Sequence, residues 1–396
     1  MDQTCRIALV GIAGYGEEYL KELDKENRLD WIQGVVDIYP EKSSYYETLK
    51  KLKVPVYSSL DQFFANEKAD LTIISTPIHL HAVQAITAME NGSHVLCEKP
   101  MTSSLKDAER MREVRDRTGK FTAIGFNWSF SESVTNLKKD IQAGIFGKAV
   151  KGKALALWPR NEAYYNRSSW AGKKFSSDGA PIFDSIANNA TSHFLHHLLY
   201  VLGDTQKHSA KLTHAEVELY RVNPIETFDT CAFRGKTEKN VELLYLASHA
   251  VIDQRGPQFE MEFEQASVVY EVGSPMKAVW MSGEEKVYGD PEKEKLHKLE
   301  VCIEAVLKDN HEVRCTIESA YSHMLAIQAM HEAVPDVPSL PESLIKVEEE
   351  SKVSYVEDLF DEFMETYKEW KLPSEMKLSW TWPSQRVDIR QGAYTY

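Results

Sequence analysis

The sequence predicts an α/β chain in two parts: a doubly wound parallel sheet first, then an α+β region with a large, mostly antiparallel open sheet. Three observations predict it. Short apolar runs alternate with helix-period segments over the first third of the chain. Longer runs of two-residue alternation follow, as in Phe259-Glu260-Met261-Glu262-Phe263-Glu264. A glycine-rich turn, Gly11 to Gly16, joins the first strand to the first helix.

The elements follow in order. Arg6 to Val10 reads as a strand closed by Gly11, and Glu17 to Glu26 as a helix. Trp31 to Val36 is a second strand, ending in Asp37. Leu71 to Ser75 is a strand broken by Thr76-Pro77, and Leu80 to Asn91 a helix closed by Gly92. His94 to Cys97 is a strand, Leu105 to Thr118 a helix closed by Gly119, and Phe121 to Gly125 a strand. Ser133 to Gly144 is one more helix. Period-two strands are expected at Lys211 to Tyr220, Val241 to His249 and Val268 to Val272. Helices are expected at Asn188 to Leu202, Glu294 to Asp309, Ile317 to Ala333 and Tyr355 to Trp370. The expected divisions are 1–125, 126–335 and a C-terminal extension 336–396, marked by Pro335, Pro338 and Pro341. The tail from Leu372 shows no regular period, and the extension packs on the rest of the chain or on a neighbouring subunit.

A chain of 396 residues with 43% hydrophobic content buries a large core without staples. A net charge of -14 argues against nucleic acid as the main partner. No apolar run approaches the roughly 18 residues of a membrane span. The N-terminus reads without a secretory leader, and five scattered cysteines suit a reduced, cytoplasmic setting.

Gly11-Ile12-Ala13-Gly14-Tyr15-Gly16 has the small residues that let a backbone turn tightly against a dinucleotide pyrophosphate at a helix N-terminus, with Ala13 at the usual middle glycine. Asp37 stands where an acid reaches ribose hydroxyls, which favours NAD over NADP. Glu98-Lys99-Pro100 follows a strand directly, and Cys97 packs as a small apolar residue at that strand's end. Without more, Lys99 reads as one half of a surface ion pair.

The ordered set of segments changes that reading. It comprises Gly11 to Gly16, Ile74-Ser75-Thr76-Pro77 through His81, Gly92 to Pro100, Gly125-Phe126-Asn127, Gly144 to Lys148, and Ser192-His193 to Leu202-Gly203. Over residues 5–335 this resembles the Gfo/Idh/MocA family of NAD(P)-dependent oxidoreductases. The resemblance implies a Rossmann domain, hydride transfer between NAD and a hydroxyl carbon of a sugar, sugar acid or cyclitol, and Lys99 on the reacting hydroxyl. It assigns the cofactor to the glycine loop, Asp37, Ser75, Thr76, Pro77, His81, Glu98, Lys99, Asn127 and Trp170. It assigns the substrate to Lys99, Trp128, Arg160, Tyr165, Asn189 and His193. Two rival readings are an NAD-dependent glycoside hydrolase and a non-catalytic NAD-binding sensor or assembly protein.

His193 takes the place of the family's catalytic histidine, but Asn189 replaces the aspartate four residues earlier. Asn189 orients a hydroxyl and does not titrate in the working range. Asp184, upstream, reads as the N-cap of the following helix, with recovery of the missing carboxylate as the alternative. His193 and His197 have zinc-compatible spacing, yet no third ligand is evident, so no metal is expected. Trp158, Arg160, Asn161, Tyr164, Tyr165, Arg167 and Trp170 form an aperiodic cluster suited to a polyhydroxylated ring. The open sheet suggests a homodimer or homotetramer.

Overall fold

The structure is a computed structural model that describes residues 4–389. Residues 1–3, on which the leader reading rests, and 390–396 of the tail lie outside the described residues. The chain forms two compact units, Met1–Ser131 with Glu294–Ala320, and Glu132–Lys293 with Tyr321–Tyr396.

The first unit contains β1 (Ile7–Val10), α1 (Gly16–Lys25), β2 (Ile32–Val36), α2 (Tyr46–Lys51), β3 (Val56–Tyr57), α3 (Leu60–Asn66), β4 (Leu71–Ile74), α4 (Ile78–Glu90), β5 (His94–Cys97), α5 (Leu105–Thr118) and β6 (Thr122–Ile124). Its strands pair in parallel in the order β3-β2-β1-β4-β5-β6. The central strands β1, β4 and β5 are buried along their whole length, which is why their sequences are continuous apolar runs. Local signals set the helix ends. Ser104 accepts from the Asp107 amide at the start of α5, and Gly119 ends it with φ 67°.

The second unit begins with α6 (Glu132–Gln142), β7 (Ala149–Leu157), α7 (Glu162–Tyr165) and α8 (Ser192–Val201). It continues through β8 (Leu212–Tyr220), β9 (Thr230–Thr237), β10 (Glu242–Ser248), β11 (Arg255–Phe263), β12 (Ala266–Glu271), β13 (Met276–Trp280) and β14 (Glu285–Gly289). The chain then returns to the first unit as α9 (His297–Leu307), which packs on β4 and β5. After α10 (Ile317–Ala333) come β15 (Ile345–Val347), β16 (Ser354–Val356), α11 (Leu359–Glu369) and β17 (Gln385–Asp388).

The second sheet runs β14-β13-β12-β11-β7-β10-β9-β8-β17 and is antiparallel except for β7 beside β10. On one face α8 packs against β7 and β10. The opposite face is not open over its central strands. Leu155, Leu157, Leu244 and Leu246 bury against Leu340, Leu359, Phe363, Leu372 and Trp380 of the same chain. The tail that looked aperiodic contributes β17, which adds to the edge at β8. The extension packs on its own sheet because its scattered Leu, Phe and Trp residues match an apolar face that would otherwise contact water. Among the described residues no helix is long and apolar enough to cross a membrane.

Candidate active site

The glycine loop lies at the carboxyl end of β1, inside the sheet, where ligands of doubly wound folds bind. Gly11 has φ 79°, and a Cβ there would lie 3.0 Å from the Ser75 carbonyl. A Cβ on Gly16 would sit 2.0 Å from the Gly11 carbonyl oxygen, so glycine alone closes this turn. Ala13 lacks a left-handed backbone, so its methyl is accommodated in the turn. Asp37 pins the loop from β2: its carboxylate accepts from the Ile12 and Tyr39 amides, each at 2.8 Å. The Ser75 hydroxyl is buried without a hydrogen-bond partner among the described residues. A close-packed glycine turn, a strand-end acid and an orphaned hydroxyl beside a helix N-terminus fit a dinucleotide.

Glu98 is 6% exposed and sits at the end of β5. The Tyr19 hydroxyl donates to its Oε1 at 2.6 Å, and the Lys99 amide donates to its Oε2 at 3.2 Å. Lys298 of α9, fully buried, forms an ion pair with the same carboxylate. Lys298 Nζ also donates to Asn127 Oδ1 (2.7 Å), the Gly125 carbonyl (3.2 Å) and the Tyr15 hydroxyl (3.2 Å). Glu98 holds the Lys298 ammonium above its ordinary range against the opposing effect of burial. Lys99 is half-buried and precedes Pro100 through a cis peptide. His81 lies behind both loops, with Nδ1 2.9 Å from the Pro100 carbonyl and Nε2 2.7 Å from that of Thr76. Burial lowers its pKa. Pro77 starts α4, and Trp128 is buried in a short turn after β6.

In the second unit the helix carrying His193 starts later than its sequence pattern suggests. Thr191 holds the N-cap position of α8, so Asp184 is not the cap and Asn189 lies in the preceding turn. Asn189 and His193 therefore do not share a helix face. The polar side chains here bond to local backbone: Thr191 Oγ1 donates to the Ile186 carbonyl at 2.7 Å, and Asn188 Nδ2 to that of Phe183 at 3.1 Å. Asp184 has another task. Its carboxylate accepts from Asn189 Nδ2 (2.7 Å), the Gly172 amide (2.7 Å) and Arg167 Nη2 (3.1 Å). His193 is half-buried at the start of α8, and its neighbour Phe194 meets Trp158 edge-on at 5.3 Å. His197 packs against Phe259 at 4.5 Å and His196 stacks on Tyr200 at 5.6 Å, each as a buried core side chain.

The aperiodic segment after β7 gathers around these residues. The Arg167 guanidinium lies 4.0 Å from the Tyr164 ring and 4.9 Å from the Trp170 ring. Arg160 lies 5.1 Å from the other side of the cluster at Tyr164 and 5.7 Å from Trp158. Tyr165 and Tyr164 flank His249, at 6.5 Å and 5.6 Å between ring centres.

Residues 5–126 match the family model GFO_IDH_MocA, described as the oxidoreductase family with an NAD-binding Rossmann fold. This segment belongs to the Gfo/Idh/MocA family. A 1-carboxy-3-chloro-3,4-dihydroxycyclohexa-1,5-diene dehydrogenase of Comamonas testosteroni is 34% identical over 93 residues, 24% of this chain and 23% of that protein. A 2,7-anhydro-N-acetylneuraminate hydratase of Mediterraneibacter gnavus is 31% identical over 148 residues, 37% of this chain and 38% of that protein. The chain thus matches less than half the length of these curated relatives. The WlbA dehydrogenase of Bordetella pertussis, solved with NADH and UDP-GlcNAcA, superposes with TM-score 0.67 at 19% identity, covering 84% of this chain and 97% of that one. That likeness shows a shared fold.

Within the Gfo/Idh/MocA segment, the residue that sequence reasoning missed is Lys298, which reaches Glu98 and Asn127 from outside the segment. A signal existed. Lys298, Cys302 and Ala305 share one buried face of α9, so a lysine occupies a core position of an otherwise amphipathic helix.

Proposed function

We propose that the protein is an NAD-dependent oxidoreductase that moves a hydride between the nicotinamide and a hydroxyl-bearing carbon of a sugar-like compound. The observation that carries it is the arrangement at β2, β1, β4 and β5: Asp37, the glycine turn, the orphaned Ser75 hydroxyl and Lys99 all stand at the carboxyl ends of adjacent parallel strands. Bound NAD supplies the hydride chemistry. Glu98, fixed by Tyr19 and Lys298, accepts from the Lys99 amide and so sets the backbone from which the lysine side chain extends. The Lys99 side chain hydrogen-bonds the reacting hydroxyl: as a neutral amine it takes the hydroxyl proton during oxidation, and the ammonium so formed returns it during reduction; His193 of the second unit is a further candidate proton carrier. Asn189, held by Asp184, orients a substrate hydroxyl, so the carboxylate absent at 189 returns one bond further out. The relatives named for a dihydroxylated ring and a neuraminate support a polyhydroxylated substrate.

Lys99→Ala is expected to lower NADH formation on the order of 10³-fold while calorimetric NAD affinity changes little. Near-wild-type turnover in that variant would sink the assignment. Glycosides belong in the same substrate panel. Sugar release without net NADH formation would move the reading to NAD-assisted hydrolysis.

A further inference from the structure

The second unit contains a cavity of about 290 Å³ beside the edge of β8. Strand β17 pairs with β8 only as far as Val217, and the chain at Ser339 joins the same edge at Arg221. The cavity fills the gap between them, where Glu218 and Tyr220 meet Pro335, Asp336, Pro338 and Trp382. All of its lining comes from the second unit, so it is separate from the glycine turn and from Lys99.

Its charge is one-sided. Glu218 is 3% exposed. The Ser374 hydroxyl donates to its Oε1 at 2.6 Å, the Tyr220 hydroxyl to its Oε2 at 2.7 Å, and the Ser374 amide to Oε2 at 3.2 Å. Such donors suit an ionised carboxylate. Glu216, two residues earlier, pairs with Arg234, whereas Glu218 has no cationic partner among the described residues. Burial accordingly raises its pKa. Asp336 adds a second acid, and no lysine or arginine lines the cavity. Lys174 and Arg221 lie close by but are engaged with backbone: Lys174 Nζ donates to the Pro335 carbonyl at 2.5 Å and Arg221 Nη1 to that of Ile225 at 2.8 Å. A buried carboxylate without a countercharge is costly, and a cation in the cavity offsets that cost.

Trp382 provides the aromatic wall. It is 42% exposed, and its ring packs on the buried Tyr220 ring at 5.7 Å between centres. An aromatic face beside an uncompensated acid attracts a cation. The hydrogen bonds select its kind. Both Glu218 oxygens already accept, which leaves little acceptor capacity for the three donors of a primary ammonium or the five of a guanidinium. A methylated ammonium makes no such demand and offers an apolar surface to the tryptophan and the prolines. We infer that this cavity binds a small free quaternary ammonium compound of the choline class, its charge against the Trp382 ring with Glu218 and Asp336 as countercharge. The volume stands at the low end of ligand pockets, roughly 300–1,000 Å³, and so fits a free small cation better than a peptide segment.

The test is calorimetry of the full chain with choline, with ethanolamine as its primary ammonium counterpart, and with the neutral tert-butyl isostere of choline, all at constant ionic strength. Choline is expected to bind on the order of tenfold tighter than either. Trp382→Leu and Glu218→Gln are each expected to weaken choline roughly tenfold, and the second is expected to leave the neutral isostere unchanged. Asp336→Asn is expected to cause a smaller loss. Trp382 and Asp336 are not core positions, so their variants carry the test if Glu218→Gln proves unfolded by its urea midpoint. Absent choline binding, binding of ethanolamine or the isostere as tight as that of choline, or unchanged choline affinity in Trp382→Leu or in a folded Glu218→Gln each overturn the proposal.

Discussion

At the residue scale, Lys298 and Glu98 form a buried ion pair that also fixes Asn127 and the Lys99 amide. Removing one partner leaves an uncompensated buried charge, which costs about 3–5 kcal/mol, whereas removing both together costs less. Lys298→Met is therefore expected to weaken NAD binding and lower the midpoint of urea unfolding. Adding Glu98→Gln is expected to recover much of the stability and little of the activity, since the carboxylate that orients Lys99 is then gone. Stability in the double variant no better than in Lys298→Met would mean the two residues are not energetically coupled. Gly16→Ala tests the loop beside them. Its methyl would overlap the Gly11 carbonyl oxygen at 2.0 Å, so loss of NAD binding is expected from calorimetry, with Gly14→Ala milder because a Cβ there meets nothing within 4 Å and its cost is that of the left-handed backbone, φ 59°.

At the scale of elements, α11 and the segment after it take the place of a covering layer for the second sheet. Trp380 is 4% exposed, stacks near Phe363 at 6.3 Å and donates from Nε1 to Glu362 at 2.6 Å. Trp380→Ala is expected to destabilise the second unit by about 3–5 kcal/mol, read as a drop in the urea midpoint. Little change would mean the segment is loosely held. The late start of α8 is the other element with functional weight. The sequence reading placed a helix from Asn188, but the Asn188 and Thr191 side chains bond to nearby backbone and hold a turn instead. That turn sends the Asn189 amide to Asp184.

At the scale of the whole molecule, the coverage of the sheet bears on assembly. The expected route to a dimer or tetramer ran through an open sheet, yet Leu155, Leu157, Leu244 and Leu246 are buried by the chain's own C-terminal segment. Light scattering is expected to give the mass of one chain for the intact protein and larger species for a chain ending at Leu340. A dimer of the intact protein would place its interface elsewhere. Acid sensitivity is also a property of the whole. Burial pushes His197, His249 and His331 from the ordinary 6.5 to about 3. Their folded values lie below the unfolded ones, so between these limits the unfolded chain binds more protons. Their stabilising effect is complete above about pH 6.5 and declines as pH falls, by about 1.4 kcal/mol per pH unit for each group. Urea midpoints from pH 7 to pH 5 should follow that slope, and a flat profile would refute it. Much of this molecule was legible in its sequence. Buried parallel strands are continuous apolar runs, glycine turns have few alternatives, and helix caps act within a few residues, so the first sheet, the phosphate loop and the position of Lys99 follow from local pattern. What only the tertiary structure decided depends on contacts between distant segments. Lys298 meets Glu98 across a separation of 200 residues, Arg167 pairs with Asp184, and an aperiodic tail closes the sheet. Periodicity records which residues prefer burial, but not which partners bury them.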